Sequence, residues 1–333
     1  MESVEVIENE LNRSANIEEV AQENERNFKI VNQVGILYSI VMLIIYFVEK
    51  IFVKIFIKYF SDLIKKYHRN IDLIFMLLVD ILRFLLMFIL TRFIKKTNLR
   101  RKIYGCKKYF INLCINTGLN LIGIFFGLPI HYLILAIISK NSSEKSFQSP
   151  KPQKVKNPNI FLELFVYCIE GPFFEELIFR KFLIDRLALN SKSLAIFASG
   201  IMFGIFHRNF YQFFMAMLIG WALAYSYVET NNLLIPISYH IYWNSLSFLP
   251  KLINPIDDSQ ILRIKILAVL ALLIFIKGII GIIFLVRYRN KIKVSGEENN
   301  VNYKSKFCKS YGMWIFIFEG IVLTSLEYYS LIK

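Results

Sequence analysis

The sequence predicts an all-α fold, a polytopic transmembrane bundle of about 8–9 helices. Of its 333 residues 56% are hydrophobic and 31 are Phe. The mean hydropathy of +0.48 is well above that of a soluble domain of this size. Nine apolar runs follow one another along the chain, most of them near the roughly 20 residues that cross a bilayer. The formal charge of +15 is concentrated between those runs.

Residues 1–28 are polar and rather acidic, with no basic region or cleavage site before the first apolar run. They read as a cytoplasmic tail rather than a signal peptide. Runs at 33–57, 71–94 and 110–138 give a first group of membrane helices within 29–139. The segment 140–157, rich in Lys, Ser and Pro, is the clearest boundary in the chain. Runs at 158–188, 194–206, 212–229 and 233–249 fill a central unit, 158–250. The segment 251–333 adds runs at 263–286 and 311–331, separated by a polar connection. No internal repeat is visible, which argues against a transporter.

The basic connections at 95–108 and 287–293 point to the cytoplasmic face and its anionic lipid, not to nucleic acid. Nine strict crossings then put the Lys-rich linker outside, against the positive-inside rule. Either Gly118, Gly123, Gly127 and Pro129 mark a broken or re-entrant third run, or the helix count shifts by one. The four cysteines are dispersed, without metal or disulfide spacing, and read as buried.

Charged groups at membrane depth need a partner, a water-filled cavity or a chemical role. Three clusters raise that question. In "GPFFEELIFRKFL", residues 171–183, Glu176 and Arg180 are four apart with the acid first, the favoured order for a helical ion pair. Glu175 points about 100° away and is left for chemistry. Pro172 ahead of the pair removes an N–H and suggests local unwinding beside a cavity. In "FGIFHRN", residues 203–209, Phe203 lies one turn before His207 and reads as the packing residue that presents it. In "HIYWN", residues 240–244, His240 and Asn244 share a helix face, as interhelical glue or as donors to an oxyanion. Asp80 and Arg83 can pair at i, i+3, whereas Glu49, Glu319 and Glu327 have no companion motif. Glu170 could reach the cavity of Glu175.

These three motifs, in this order on successive apolar segments, resemble those of the type II CAAX prenyl protease and bacteriocin-processing family of intramembrane proteases, CPBP or Abi. The resemblance implies a helical bundle enclosing a polar catalytic cavity and hydrolysis of a peptide bond in a membrane-associated protein or peptide. By the same resemblance Glu175 and His207 activate water, His240 and Asn244 stabilise the oxyanion, and Glu176 and Arg180 hold the architecture. A zinc ion on Glu175, His207 and His240 is the alternative, but no His-Glu-x-x-His helix is present, and a metal-free mechanism is the expectation. The competing function is a non-catalytic scaffold or a bacteriocin self-immunity protein on the same fold. The Lys-, Asn- and Ile-rich composition points to an integral protein of a bacterial cell membrane. Prenylated protein, bacteriocin or pheromone precursor, and membrane regulator all remain open as substrates.

Overall fold

The computed structural model describes the backbone of residues 2–59, 61–99, 101–141, 159–253, 260–288 and 303–330. Most of the 140–157 linker and much of the polar connection after residue 288 lie outside the described residues. Counting the uninterrupted run 160–187 as one helix, ten helices are described and no strand is present among them. They are α1 (Glu2–Tyr59), α2 (Ser61–Thr91), α3 (Cys106–Asn141), α4 (the run 160–187), α5 (Lys192–Phe206), α6 (Phe210–Thr230), α7 (Leu234–Ile253), α8 (Gln260–Tyr288), α9 (Tyr303–Lys309) and α10 (Tyr311–Ser330).

Each of the nine apolar runs lies on a helix, and α9 is a short addition. By length and composition five helices can cross a membrane, α1, α2, α3, α6 and α8, or six if the pair α9 and α10, bent by 69°, forms one span. The three helices that carry the candidate site, α4, α5 and α7, are not among them. They are shorter or more polar, and their neighbours supply the apolar exterior.

Local chemistry sets the helix ends. Asn159 caps α4 by accepting from Phe161 N and Leu162 N, Ser191 caps α5 through Leu194 N, and Asn209 caps α6 through Tyr211 N. Asn231 closes α6 in the left-handed region, φ 46°, where Asn is tolerated better than most side chains.

The third run is one continuous helix with Pro129 inside it, neither broken nor re-entrant. Its glycines are contact points. A Cβ on Gly118 would lie 2.7 Å from Ile282 N of α8, and one on Gly123 would lie 2.4 Å from the Cα of Met215 on α6. Small residues thus let α3 approach two neighbours at backbone distance.

Gly281 faces Cys114 while Gly278 faces Leu121, so α3 and α8 are antiparallel. The basic connection before α3 and the Arg287 end of α8 therefore share one face of the bundle, which the positive-inside rule assigns to the cytoplasm. Because α3 crosses in full, the Lys-rich linker starts from the opposite end, where that rule does not predict it. Of the cysteines only Cys168 is buried; Cys106 and Cys308 are exposed, correcting the expectation of burial.

The main core joins α1, α4, α5, α6 and α10 through Tyr38, Phe179, Leu183, Met202, Phe203, Tyr227 and Phe316, all at most 2% exposed. This core sits directly behind the candidate site.

Candidate active site

The helix that bears the glutamates is locally underwound, with i to i+5 hydrogen bonding at Phe165–Glu170 and again at Leu177–Ile184. Such π-turns insert an extra residue and shift the backbone ladder. Gly171 N–H reaches back to Val166 O, and the next residue, Pro172, has no N–H to give. Asn244 of α7 fits this gap: its Nδ2 donates to Tyr167 O across 2.8 Å. The second π-turn is likewise served by side chains. Tyr38 Oη donates to Ile178 O at 2.6 Å, and Ser199 Oγ to Phe179 O at 3.1 Å.

Between the two π-turns lie the paired acids, and they diverge as their helical spacing requires. Glu176 and Arg180 are fully buried, with Arg180 Nε 2.8 Å from Oε2 and Nη2 donating to Oε1 at 3.2 Å. Arg180 Nη1 also donates to Ser199 Oγ at 2.8 Å, and its guanidinium stacks 5.0 Å from the Phe203 ring centroid. Burial of an ion pair is costly unless both ions keep several partners, and here they do. Glu175 is 22% exposed.

His240 stands between the two acids. Its Nδ1 lies 3.0 Å from Glu176 Oε1 and its Nε2 3.7 Å from Glu175 Oε2. A carboxylate only accepts, so Nδ1 carries the proton and Nε2 is turned toward Glu175. The same logic fixes His207, whose Nδ1 is 2.8 Å from the carbonyl of Phe203 and must donate to it, leaving Nε2 as the basic nitrogen. Phe203 touches both imidazoles edge-on, with centroids 4.8 Å from His207 and 5.7 Å from His240. Among the ion pairs of the described residues none joins His207 to Glu175. These two are related through Phe203 and His240.

Some participants escape the motif reading. Ser199 holds Arg180, and its place four residues before Phe203 and eight before His207, on one face of α5, was an available signal. Glu170 is 5% exposed with neither carboxylate oxygen hydrogen-bonded, and it lies within electrostatic reach of Asp80 and Glu175. Asp80 pairs with Arg83 as its spacing predicts. Glu49 and Glu327, which read as isolated, are not. Arg208, next to His207 and at φ 48°, bonds Glu49 Oε2 at 2.9 Å and lies 3.3 Å from Glu327 Oε1. Such a φ is uncommon outside glycine, so the turn that ends at His207 is held by side chains from α1 and α10.

Among the described residues no three His, Cys, Asp or Glu side chains come together as a set that could hold a metal ion. The zinc alternative on Glu175, His207 and His240 finds no such geometry among the described residues.

Residues 157–246 match the family model for Type II CAAX prenyl endopeptidase Rce1-like proteins. A Bacillus subtilis protein named "Putative membrane peptidase YdiL" is 33% identical over 87 residues, which cover 25% of this chain and 35% of that relative. Residues 157–246 thus resemble the CPBP family. The alignment spans about a third of the relative's length, and no solved structure matches. All seven candidate residues fall inside the matched segment, whereas α1, α2, α3, α8, α9 and α10 lie outside it. The Arg208 turn is one of the places where the two parts meet.

Proposed function

We propose that the protein is an intramembrane endopeptidase that cuts a peptide bond in a membrane-associated protein or peptide of a bacterial cell membrane. The observation that carries this reading is the division of labour around His240. One glutamate is locked with Arg180 and orients Nδ1, and the other faces Nε2 and stays partly accessible.

In the proposed reaction Glu175 takes a proton from water as its oxygen attacks the scissile carbonyl, with His207 Nε2 the second basic group. Negative charge then develops on the carbonyl oxygen. His240 can donate to it from Nε2 when that nitrogen carries a proton. Asn244 has one N–H engaged by Tyr167 O and a second amide N–H available for the same oxygen. As the intermediate collapses, the C–N bond breaks and the leaving amine takes up the proton. The similarity of residues 157–246 to type II CAAX prenyl endopeptidases, and to the Bacillus protein named "Putative membrane peptidase YdiL", supports the same class of reaction.

The test compares cells carrying the wild type and Glu175→Gln by membrane proteomics. An unprocessed precursor should accumulate only with the variant. If the variant protein is present at normal level and processing and phenotype are unchanged, the protein acts as a scaffold or immunity factor and the peptidase reading is wrong.

A further inference from the structure

A cleft lies away from the glutamates, lined mostly by helices outside residues 157–246. It has a volume of about 1050 Å³ and opens between α3, α5, α6, α8 and α9. That volume is at the upper end of the roughly 300–1,000 Å³ typical of small-molecule pockets. Its lining is graded from one end to the other. Lys107, Lys108 and Lys304 stand exposed at the mouth, and the lining contains no Asp or Glu among the described residues. One turn deeper on α3 is Asn112, about 6 Å below Lys108 at 1.5 Å per residue. Another turn on is Asn116, 1% exposed, whose Oδ1 has no hydrogen-bond partner among the described residues. Leu119 lies a turn deeper on α3, and Phe197 and Leu285 add apolar wall from α5 and α8. Tyr225, Tyr288 and Tyr303 flank the polar tier, the residue type that gathers at headgroup depth.

We propose that this cleft binds an anionic phospholipid, with its phosphate on the lysines, its glycerol ester region beside Asn112 and Asn116, and an acyl chain against the apolar wall. Charge selects the occupant. Three cations with no acid among the described lining residues favour an anion, and the apolar wall favours one that carries a hydrocarbon chain. Place selects it too, because the mouth is on the basic face that the positive-inside rule turns toward the cytoplasmic leaflet, where anionic lipid is concentrated. Basic pockets between membrane helices on that side suit such headgroups. The inference does not depend on the peptidase reading, and its failure would leave that reading intact.

The test uses the purified full-length protein in neutral detergent, with dioleoylphosphatidylglycerol, dioleoylphosphatidylcholine or inorganic phosphate added. Phosphatidylglycerol should raise the melting temperature by roughly 3–5 °C at saturation, while the other two leave it in place. The triple variant Lys107→Gln/Lys108→Gln/Lys304→Gln should lose most of that shift. Leu119→Trp, which fills the cleft without changing its charge, should lose it as well, and native mass spectrometry should show one bound lipid only where the shift occurs. An equal shift with phosphatidylcholine, or a full shift retained by both variants, overturns the proposal. A shift with inorganic phosphate alone overturns the lipid as occupant.

Discussion

Asn244 Nδ2 bonds the backbone oxygen of Tyr167 at 2.8 Å, tying α7 to α4 at the point where Pro172 withholds an N–H. A motif residue thus repairs the distortion that opens the site. Asn244→Ala should lower the cleavage rate by about a hundredfold, the usual cost of one oxyanion donor, and cost about 1 kcal/mol of stability. Asn244→Asp should melt lower than the alanine variant, because a carboxylate would face a carbonyl oxygen with no proton between them. Cleavage assays and thermal melting on the same preparations check both, and an aspartate variant with normal activity excludes the oxyanion role.

The adjacent glutamates should separate in their effects. Glu176→Gln leaves Arg180 buried without its counter-ion and should destabilise the protein by about 3–5 kcal/mol. Glu175→Gln alters a partly exposed side chain and should change stability by no more than about 0.5 kcal/mol while abolishing cleavage. Melting curves and rates measured side by side give the result, and equal destabilisation by the two variants contradicts the assigned roles.

How much of this could be read from residues alone follows from the range of the interactions. The Glu176–Arg180 pair and the divergence of Glu175 were legible because both are set within one helical turn. The nine apolar runs were legible because hydropathy and length decide them. The Glu49–Arg208 bond was not, since it joins residues 159 apart in sequence and neither belongs to a local pattern. The glycines of α3 were misleading for a related reason: a glycine suggests a break until the neighbouring backbone that requires it is known, and Gly118 requires α8. The π-turns also escaped notice, because Pro172 announces a distortion without saying which side chain will answer it.

The Arg208 turn offers a way to test whether the flanking helices serve the site. Glu49→Lys should repel Arg208 and displace the adjoining His207, lowering kcat with little change in KM, since neither residue faces a substrate group directly. Glu49→Lys combined with Arg208→Glu restores opposite charges. The double variant should recover part of the loss, corresponding to a coupling of about 1 kcal/mol. Single and double variants compared in one cleavage assay yield the coupling, and strictly additive losses would show that the ion pair does not position His207.

The donor arrangement makes a prediction about metal. With no three-residue set of His, Cys, Asp or Glu poised to hold an ion among the described residues, prolonged dialysis against 1,10-phenanthroline should leave the cleavage rate unchanged. Loss of activity that added zinc restores would instead assign Glu175, His207 and His240 to a metal shell.

The last prediction concerns the contact between α3 and α8, outside the catalytic helices. A Cβ on Gly281 would lie 1.8 Å from Cys114 O, a backbone atom that cannot swing aside. Gly281→Ala must therefore push the two helices apart, at a cost of about 1–3 kcal/mol. Both helices also line the Lys107 cleft, so the same substitution should weaken the phosphatidylglycerol response. The glutamate site is built on α4, α5 and α7, none of which Gly281 touches, so cleavage per folded molecule should be preserved well below the melting temperature. Melting with and without phosphatidylglycerol, together with a rate at low temperature, separates these effects. Loss of cleavage in step with the lipid response would mean that the α3–α8 pair and the catalytic helices form one mechanical unit rather than two.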